Sequence, residues 1–400
     1  MKGSILRSVL VLASLAFAAC SGSEEPGANG PGAGGTGGTA GAGGTGGTAG
    51  SGGTGGGEVH GGLTLFDYVI AVGVSQDGKT AVFQDITSST TADAIVYDVE
   101  SGKVAHTVAL GEPSRVLATG ISNTGRMTAM QGDPLRASVW TADGEWSDIE
   151  SPFEKGCGED VGSAWSVSAD GEVVVGLTWN GCSAEAFRWT DTGGTPVYKK
   201  LEVIGEPFED STVAPTNRAT KVSADGRVAA GFAQLGGIDR SPAIWNEDGE
   251  GLLLAPDATD APGEVLSIDG TGTTVAGNLG GDGFVWTEAG GFKTLERFDL
   301  AMPSDPVYPN AMTADGKTVF GGVGDAFFSL PTAFAWTEAG GMRPLSDVVV
   351  AAGIEIPEGL WLGNVLGASA DGSVLVGTAM EESGMTKTFL LRLPEGTFAP

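Results

Sequence analysis

The sequence predicts an all-β fold, a seven-bladed β-propeller of four-stranded antiparallel blades, on three observations. A phrase made of a glycine turn, an apolar strand and an aromatic strand occurs seven times in residues 69–393. Its turn glycines stand 44 to 56 residues apart, which gives each copy room for the four strands of a blade. Between turns, β-branched and aromatic residues alternate with polar ones over short runs, as in strands. The turn glycines are Gly78, Gly125, Gly171, Gly226, Gly272, Gly316 and Gly372.

Each copy supplies four strands, a to d, in the same order. Strand a leads into the glycine turn, strand b leaves it, strand c carries an aromatic residue, and strand d follows a second turn. Five turn glycines follow an Asp, which predicts a tight type I′ turn with positive φ at both central residues. We expect little helix beyond one short turn near residues 346–353. The strand c residues expected in the core are Tyr97, Trp140, Trp189, Trp245, Trp286, Trp336 and, in the last copy, Leu391.

The ring is expected to close through the N-terminal end of the repeat region. The last copy ends after its strand c, near residues 388–393, while an unassigned strand-like segment at residues 62–69 precedes the first copy. The N-terminal strand is therefore predicted to supply strand d of the last blade. Such closure is non-covalent and leaves no exposed sheet edge.

Residues 1–19 read as an export signal. Lys2 and Arg7 precede about twelve mostly apolar residues, too few for the roughly 20 that span a bilayer. Residues 17–21, Phe-Ala-Ala-Cys-Ser, resemble the lipobox of bacterial lipoproteins, in which the Cys carries the lipid. We therefore expect Cys20 to anchor the chain at the outer membrane or cell surface, with the periplasmic face as an alternative. An ordinary signal peptide is the other interpretation.

Residues 20–57 form a Gly/Thr/Ala-rich segment that cannot bury enough apolar surface to offset its ordering entropy. We expect a flexible tether with a root-mean-square span of about 30 to 37 Å. Residues 58–400 then form the propeller.

The periodicity resembles the HAF-type extracellular repeat family. Ala186-Phe187-Arg188-Trp189-Thr190 and Ala333-Phe334-Ala335-Trp336-Thr337, each followed by a Gly-Gly turn, carry the resemblance. The chain departs from the family at Glu185 and Thr332, where the family has His. The resemblance implies an exported propeller and brings no agreed activity. The first copy is also similar to repeats of the wider WD-type propeller group.

Charge and histidine content limit the chemistry. The formal net charge is −29, whereas phosphate binding needs clustered Lys and Arg, so nucleic acid is not expected as a partner. His60 and His106 are the two histidines of the chain. So few histidines argue against histidine-dependent catalysis and against a histidine-ligated metal. We expect no cofactor, no metal site and a monomer.

Strand order places the short a-to-b and c-to-d turns on one side of the propeller, the short-turn rim. The long b-to-c and d-to-a loops lie on the other side, the variable rim, where a binding site is expected around the central channel. Trp146, Trp165, Trp179 and Trp361 fall outside the register of the core aromatic residues. Of these, Trp179 and Trp361 are expected in variable-rim loops, as exposed contacts. The acidic candidates on this rim are Asp160, Asp210, Asp239 and Asp282.

Cys157 and Cys182 are predicted to lie on the variable rim of the same blade. In an exported protein this is the expected place for a disulfide, and we predict that the pair pins a loop.

Three functions remain open on these observations. The first is a surface-tethered, non-catalytic binding module for a protein or glycan partner, favoured by the anchor, the tether and the missing catalytic set. The second is a carboxylate-dependent hydrolase or lyase acting on carbohydrate, because two rim acids at glycosidase spacing could serve such chemistry. The third is a purely structural envelope protein.

Overall fold

The computed structural model describes most of the predicted propeller. The described residues are 58–60, 62–67, 69–85, 92–109, 115–132, 134–152, 161–179, 183–193, 195–208, 211–236, 238–298, 302, 304–324 and 331–398, without the side chains of 58–60, 238 and 239. The predicted export signal, Cys20 and the tether lie outside this range. Among the described residues, no helix is long and apolar enough to span a membrane.

The described strands form seven antiparallel sheets, so the predicted seven-bladed propeller is confirmed. The a strands are β3 (Val69–Val74), β7 (Arg115–Ile121), β11 (Val161–Val167), β15 (Asn217–Val222), β19 (Gly263–Ile268), β23 (Val307–Met312) and β27 (Leu360–Ala368). The b strands are β4 (Thr80–Asp85), β8 (Met127–Gly132), β12 (Val173–Trp179), β16 (Ala229–Leu235), β20 (Thr274–Leu279), β24 (Thr318–Val323) and β28 (Val374–Glu381). The c strands are β5 (Ala94–Asp98), β9 (Arg136–Trp140), β13 (Ala184–Thr190), β17 (Ile238–Trp245), β21 (Asp282–Thr287), β25 (Thr332–Thr337) and β29 (Thr386–Arg392). The d strands of blades 1 to 6 are β6 (Lys103–Val108), β10 (Trp146–Asp148), β14 (Val197–Lys200), β18 (Gly251–Leu253), β22 (Gly291–Thr294) and β26 (Gly341–Pro344).

Blade 7 is completed by the N-terminal strand, as predicted. Strand β2 (Leu63–Phe66) pairs antiparallel with β29, from Leu63 opposite Leu391 to Phe66 opposite Thr388. A further strand, β1 (Glu58–His60), pairs on the outside of β2 and was not expected from the sequence. Each a strand contacts the a strand of the next blade, and β27 contacts β3, so the ring is closed around the innermost strands.

The a-to-b turn is fixed by its own side chains. In blade 3, Ser168 Oγ accepts a hydrogen bond from the Val173 backbone N–H at 2.9 Å and donates to Asp170 Oδ1 at 2.5 Å. The Gly171 N–H donates to the Ser168 carbonyl at 3.0 Å, so Asp and Gly take the third and fourth turn positions. The prediction of a type I′ turn with Asp-Gly at its centre is therefore wrong. The chain forms a longer turn that the Ser and Asp side chains cap.

The same capping occurs in other blades, in some of them with different residues at the two capping positions. Blades 1, 4 and 7 repeat the Ser and Asp pair, and blade 6 uses Thr313 with Asp315 at 2.7 Å. Blade 5 exchanges the two types: Asp269 stands at the Ser position, and its carboxylate accepts the backbone N–H groups of Thr273 and Thr274, both at 3.0 Å. The turn geometry is the same because an oxygen acceptor from the capping residue or from the residue two positions later meets the backbone N–H groups four and five residues after the capping residue.

The seven turns are joined to each other by a ring of hydrogen bonds. A backbone N–H of each turn donates a hydrogen bond of 2.7 to 3.0 Å to an oxygen of the turn in the next blade, and the last turn donates to the first. The steps run from Asp77 N to Asn123 Oδ1, Asn123 N to Ala169 O, Ala169 N to Ala224 O, Asp225 N to Gly270 O, Gly270 N to Ala314 O, Ala314 N to Ala370 O and Ala370 N to Gln76 O. The short-turn rim is therefore one closed hydrogen-bonded ring.

The strand b glycine accommodates an irregular strand a. In blade 3 the pairing of β11 with β12 shifts between Ala164 and Ser166, so one extra residue is inserted there. A Cβ on Gly176 would overlap both the Ser163 carbonyl oxygen and the Phe187 ring. In blade 1 the Phe lies on strand b instead of strand c. Phe83 stands at the glycine position and pairs with Ile95, whereas in blade 3 Gly176 pairs with Phe187.

The core lies between neighbouring blades. One cluster joins Val175 and Ala186 of blade 3 to Ala219 and Trp245 of blade 4. The strand c aromatic residues are buried as predicted, except that Trp286 is only half-buried. The short helix expected near residues 346–353 is α1 (Leu345–Ala351).

Replacing Ser168 by Ala tests the capped turn. The substitution leaves the buried Val173 N–H without its acceptor, so we expect a loss of about 1 to 3 kcal/mol in the free energy of unfolding, measured by urea denaturation. Ser168→Thr is the matched control, because Thr313 makes the equivalent bonds in blade 6. Equal stability of the Ala and Thr variants would contradict this account of the turn.

Candidate functional site

One lysine stands at a position where the other blades have small residues. Two positions before the capping residue, an added side chain would meet the next blade at Gly120 and Gly367, whereas a Cβ on Gly73 would have nothing within 4 Å. A Cβ on Gly120 would lie 3.5 Å from the Trp165 carbonyl oxygen, and one on Gly367 would lie 2.9 Å from Gly73 Cα. Lys221 in blade 4 is the one long side chain at this position. The seven residues are Gly73, Gly120, Ser166, Lys221, Ser267, Ala311 and Gly367.

The Lys221 side chain is half-buried on the innermost strand. Burial lowers its pKa from the ordinary value of 10.5, and the charge of Glu264 on blade 5 partly opposes this effect. Within the described residues, its ammonium has no hydrogen bond and no ion pair within 4.0 Å. A half-buried cation without a contact partner is costly, because the protein replaces its hydration only in part.

Aromatic rings and guanidinium groups surround this strand. Arg218 lies over the rings of Trp165 and Phe232, with its Cζ 5.1 and 5.3 Å from their centroids. Arg240 lies over the same Phe232 ring at 4.9 Å and forms an ion pair with Glu264 at 3.2 Å. Together with Lys221, these residues join blades 3, 4 and 5. The blade 4 cluster is Trp165, Arg218, Lys221, Phe232, Arg240 and Glu264.

Trp165 is the extra residue of the irregular β11, between Ala164 and Ser166. Its indole Nε1 is buried and has no hydrogen-bond acceptor in the described part of the chain. Buried polar groups in native proteins are nearly always paired, and an unpaired one costs about 1 to 3 kcal/mol. Trp165 and Lys221 thus give the cluster two polar groups whose placement does not stabilise the fold.

The channel wall is polar on one side. Five positions before the capping residue, strand a has apolar residues in blades 1 and 2 and polar residues in the others. In blades 6 and 7 this polar side continues as a hydrogen bond of 2.9 Å between Asn310 Nδ2 and Asn364 Oδ1. The residues at this position are Ile70, Leu117, Ser163, Arg218, Glu264, Tyr308 and Asn364.

Several acids of the variable rim are held in ion pairs. Asp282 pairs with Arg297 at 2.9 Å. Lys387 contacts Asp67 at 2.6 Å and Glu381 at 3.1 Å, and the hydrogen bond to Asp67 raises the pKa of Lys387. These carboxylates are engaged in local structure.

The residues predicted from the sequence do not form the cluster. Trp179 is the last residue of β12, and Trp361 is the second residue of β27 and 41% exposed, so placing both in loops was wrong. Asp282 is the first residue of β21. The hydrogen bonds, ion pairs and ring contacts of the described residues join none of the three to the blade 4 cluster. Asp239 lies in β17 with its side chain outside the described part, and Asp160, Asp210, Cys157 and Cys182 lie outside it altogether.

The sequence held a signal that could have revealed Lys221. Once the seven turns are aligned, the position two residues before the capping residue reads Gly, Gly, Ser, Lys, Ser, Ala and Gly. The departure in blade 4 is visible without a structure. It was missed because the variable-rim loops were expected to carry the chemistry, whereas the innermost strands were assigned to the core.

A concave surface lies on the short-turn rim between blades 5 and 6. It is a groove of about 770 Å³ lined by Trp336, Lys293 and Phe398 among others. Lys293 Nζ lies 5.5 Å from the Trp336 ring centroid and 2.8 Å from Glu338 Oε1, so this ammonium already has a charged partner within the groove. Elsewhere in the described chain, no group of three or more His, Cys, Asp or Glu side chains has the arrangement of a metal site.

Comparison with known proteins identifies the chain by its fold. No family model and no curated protein matches it. Among solved structures, it is similar to an oligogalacturonate lyase in complex with manganese, with 14% identity, a TM-score of 0.52, and coverage of 84% of this chain and 94% of that chain. It is also similar to virginiamycin B lyase from Staphylococcus aureus, with 13% identity, a TM-score of 0.51, and coverage of 83% and 99%. The chain is a seven-bladed β-propeller protein, and at this identity the likeness extends to the fold alone.

Replacing Lys221 by Met should stabilise the protein in a pH-dependent manner. Between the lowered native pKa and 10.5, the unfolded chain holds a proton that the native chain lacks, so wild-type stability rises with pH across this window. Below the window, the native protein carries the full cost of the half-buried charge. Met removes that cost, and each unit by which the pKa is lowered is worth about 1.4 kcal/mol.

The measurement is urea denaturation from pH 7 to pH 10.5. We expect Lys221→Met to be more stable than wild type at pH 7, with the advantage shrinking toward pH 10.5. Lys317→Met on the short-turn rim is the control, because the Lys317 side chain is 64% exposed and its contact with Asp315 is a surface ion pair. An advantage that stays constant with pH would rule out a buried charge at Lys221.

Proposed function

We propose that the protein is an exported, lipid-anchored propeller that acts as a non-catalytic binding module. Its variable rim holds a protein or glycan partner, with Arg218 and Glu264 at that end of the blade 4 cluster and Lys221 farther along the innermost strand, two residues before the a-to-b turn. The observation that carries this proposal is Lys221, a half-buried lysine without a contact partner at a position that the fold otherwise fills with Gly, Ala or Ser. A residue that destabilises the free protein is retained where it contributes to binding.

The anchor and the tether support a role at the surface. Cys20 in its lipobox-like segment would fix the chain to a membrane, and a segment of about 37 residues would hold the propeller clear of the lipid head groups. A domain placed in this way meets large partners. Recognition on variable loops and channel mouths of a rigid scaffold fits that situation.

The ion pairs of the variable rim favour binding over a mechanism with two carboxylates. Such a mechanism needs one acid that is protonated and one that is free to attack or to activate water. Glu264 and Asp282 are instead each paired with an arginine. Each pairing directs the carboxylate toward an arginine, so neither carboxylate is oriented toward a substrate.

A lyase is the second candidate, and Lys221 is the observation that favours it. Burial lowers the pKa of Lys221, so its ammonium releases a proton more readily than that of an ordinary lysine, as a general base requires. In a β-elimination, its Nζ would take the proton from the carbon next to a carboxylate. The electron pair of that C–H bond would form the C=C bond, and the C–O bond to the leaving group would break, with water protonating the departing oxygen. Two similar propellers carry the name lyase, so this reaction class is a reasonable one to test.

The test of binding is retention of the protein on immobilised polysaccharides and envelope proteins. We expect wild type to be retained by at least one member of the panel. Lys221→Gln should reduce its affinity at least tenfold, because it removes the charge that the partner would meet. Lys317→Gln in the a-to-b turn of blade 6 should leave retention unchanged. Equal retention of both variants would place the contact elsewhere and contradict the proposal.

Catalysis is tested on the same panel by the ultraviolet absorbance of unsaturated uronate. The binding module is expected to give no product. Product formed by wild type and lost in Lys221→Arg, which keeps the charge but supplies no neutral amine, would establish the lyase and overturn the non-catalytic role.

A further inference from the structure

We propose that the interface between blades 4 and 5 carries a second interaction surface, which receives a basic side chain, arginine or lysine, of a partner protein. The surface lies at the short-turn rim and is formed by Trp286 and Glu288 of blade 5 and Leu252 of blade 4. It goes beyond the proposed function, because it shares no residue with the blade 4 cluster. It is carried by the contacts that other interfaces between blades make at the same position.

A basic side chain, an indole ring and a carboxylate come together between blades 2 and 3. Arg126 of blade 2 lies over the Trp189 ring of blade 3, with its Cζ 5.7 Å from the ring centroid. Its Nη2 also lies 3.1 Å from a carboxylate oxygen of Asp191, two residues after the tryptophan. The ring face and the carboxylate both attract the guanidinium group, so a cation at this position joins one blade to the next.

The same arrangement forms between blades 5 and 6 from different residues. Lys293 Nζ of blade 5 lies 5.5 Å from the Trp336 ring centroid and 2.8 Å from Glu338 Oε1. Glu338 again stands two residues after the tryptophan of strand c. Because arginine serves in one interface and lysine in the other, the position selects positive charge rather than one residue type.

Two further interfaces place a cation at the backbone of this residue. Lys199 of blade 3 donates to the Glu247 carbonyl of blade 4 at 3.4 Å, and Arg392 of blade 7 donates to the Val99 carbonyl of blade 1 at 3.3 Å. Each acceptor stands two residues after the strand c aromatic residue of its blade. Among the described residues, a cation thus reaches this position at four interfaces.

Blade 5 has the ring and the carboxylate but receives no cation from the described residues of blade 4. Trp286 is half-buried, whereas Trp189 and Trp336 are buried. Glu288 stands two residues after Trp286, in the exposed turn between strands c and d. Within the described part of the chain, no basic side chain lies within 4.0 Å of its carboxylate.

A leucine stands where the cation is expected. Leu252 of blade 4 is directly opposite Ile244, as Lys293 of blade 5 is directly opposite Val285. Ile244 and Trp286 pack in the same cluster, so Leu252 is on the face of blade 4 that meets blade 5. Leucine brings no charge, so the position next to Trp286 lacks the cation that Lys293 supplies in the following interface.

The surface fits the stem of a basic side chain as well as its charge. Phe292 pairs with Trp286 and is 40% exposed, and Leu252 is 50% exposed on the facing blade. Lysine and arginine lay their methylene stems along apolar surface and keep the charged end in water. The two apolar residues would contact the stem, and the Trp286 ring and Glu288 would contact the charge. The net charge of −29 attracts a basic partner.

The first experiment follows the indole N–H signals of the full wild-type chain by NMR, with Trp286 assigned from Trp286→Phe. N-Acetyl-arginine amide is the probe, and N-acetyl-citrulline amide, in which a neutral urea replaces the guanidinium, is its match. We expect the arginine probe to shift the Trp286 signal with saturation and the citrulline probe to leave it in place. Trp189 and Trp336 should not respond, because their rings already contact a cation.

The role of the carboxylate is tested with Glu288→Gln, which should weaken binding of the arginine probe about threefold, as is typical of an exposed charge pair. Asp143→Asn in the c-to-d turn of blade 2 is the matched control, because it removes the same charge from another exposed turn. The control should leave the affinity unchanged. Equal losses in the two variants would reveal general attraction to an acidic protein and overturn the inference.

Leu252→Lys tests the position of the cation. It supplies from within the charge that Lys293 supplies in the next interface, so it should abolish the response of Trp286 to the arginine probe. Leu252→Gln is neutral and polar, and it should keep the response. Because Leu252 is exposed, neither variant disturbs the core. A response that persists in Leu252→Lys would contradict the proposed surface.

The outcomes are distinct from those of the proposed function. No shift of the Trp286 signal, or equal shifts with the arginine and citrulline probes, would overturn the inference and leave binding at the variable rim unaffected. Lys221→Gln should not change the response of Trp286, because Lys221 is not part of this surface. Loss of the response in Lys221→Gln would assign the effect to the blade 4 cluster and overturn the inference as well.

Discussion

The seven a-to-b turns are joined head to tail by hydrogen bonds that all run in one direction around the propeller, and the remaining architecture depends on this ring. Each turn is first fixed internally by a short side chain at the capping position and a second polar residue two positions on. It can then present one N–H and one acceptor to its neighbours. Because these bonds fix both the length and the angle of every turn, the short-turn rim has no freedom to vary. Variation in length is left to the opposite rim.

The blade 4 cluster departs from the pattern of the other repeats. Gly, Ala or Ser stands two positions before the capping residue in the other six blades, and Lys221 stands there in blade 4. Around it, Arg218 and Arg240 use aromatic faces and one carboxylate as their contacts. The fold does not need these groups, and Lys221 and the Trp165 indole nitrogen work against its stability. Such a local conflict in an otherwise consistent repeat is where function is expected.

The architecture could be predicted because each copy carries its own turn and strand signals, and seven copies fix the register by repetition. Closure by the N-terminal strand followed from one missing strand at the end and one spare strand at the start. The turn type was wrong because Asp-Gly was interpreted without the Ser two residues before Asp, whose hydroxyl group holds a longer turn. Trp165 lay outside the expected register because an extra residue in β11 shifts it. The cluster itself joins residues from three blades, and only the closed ring brings Arg240 to Glu264. The disulfide of Cys157 with Cys182 and the anchor at Cys20 remain predictions.

The central claim is that the binding partner contacts Lys221 on the innermost strand of blade 4. The most direct measurement is a crystal structure of the protein with the polysaccharide or envelope protein that retains it. The account predicts a polar group of that partner about 3 Å from Lys221 Nζ. A partner bound elsewhere, with the Lys221 ammonium bonded only to protein groups, would contradict it.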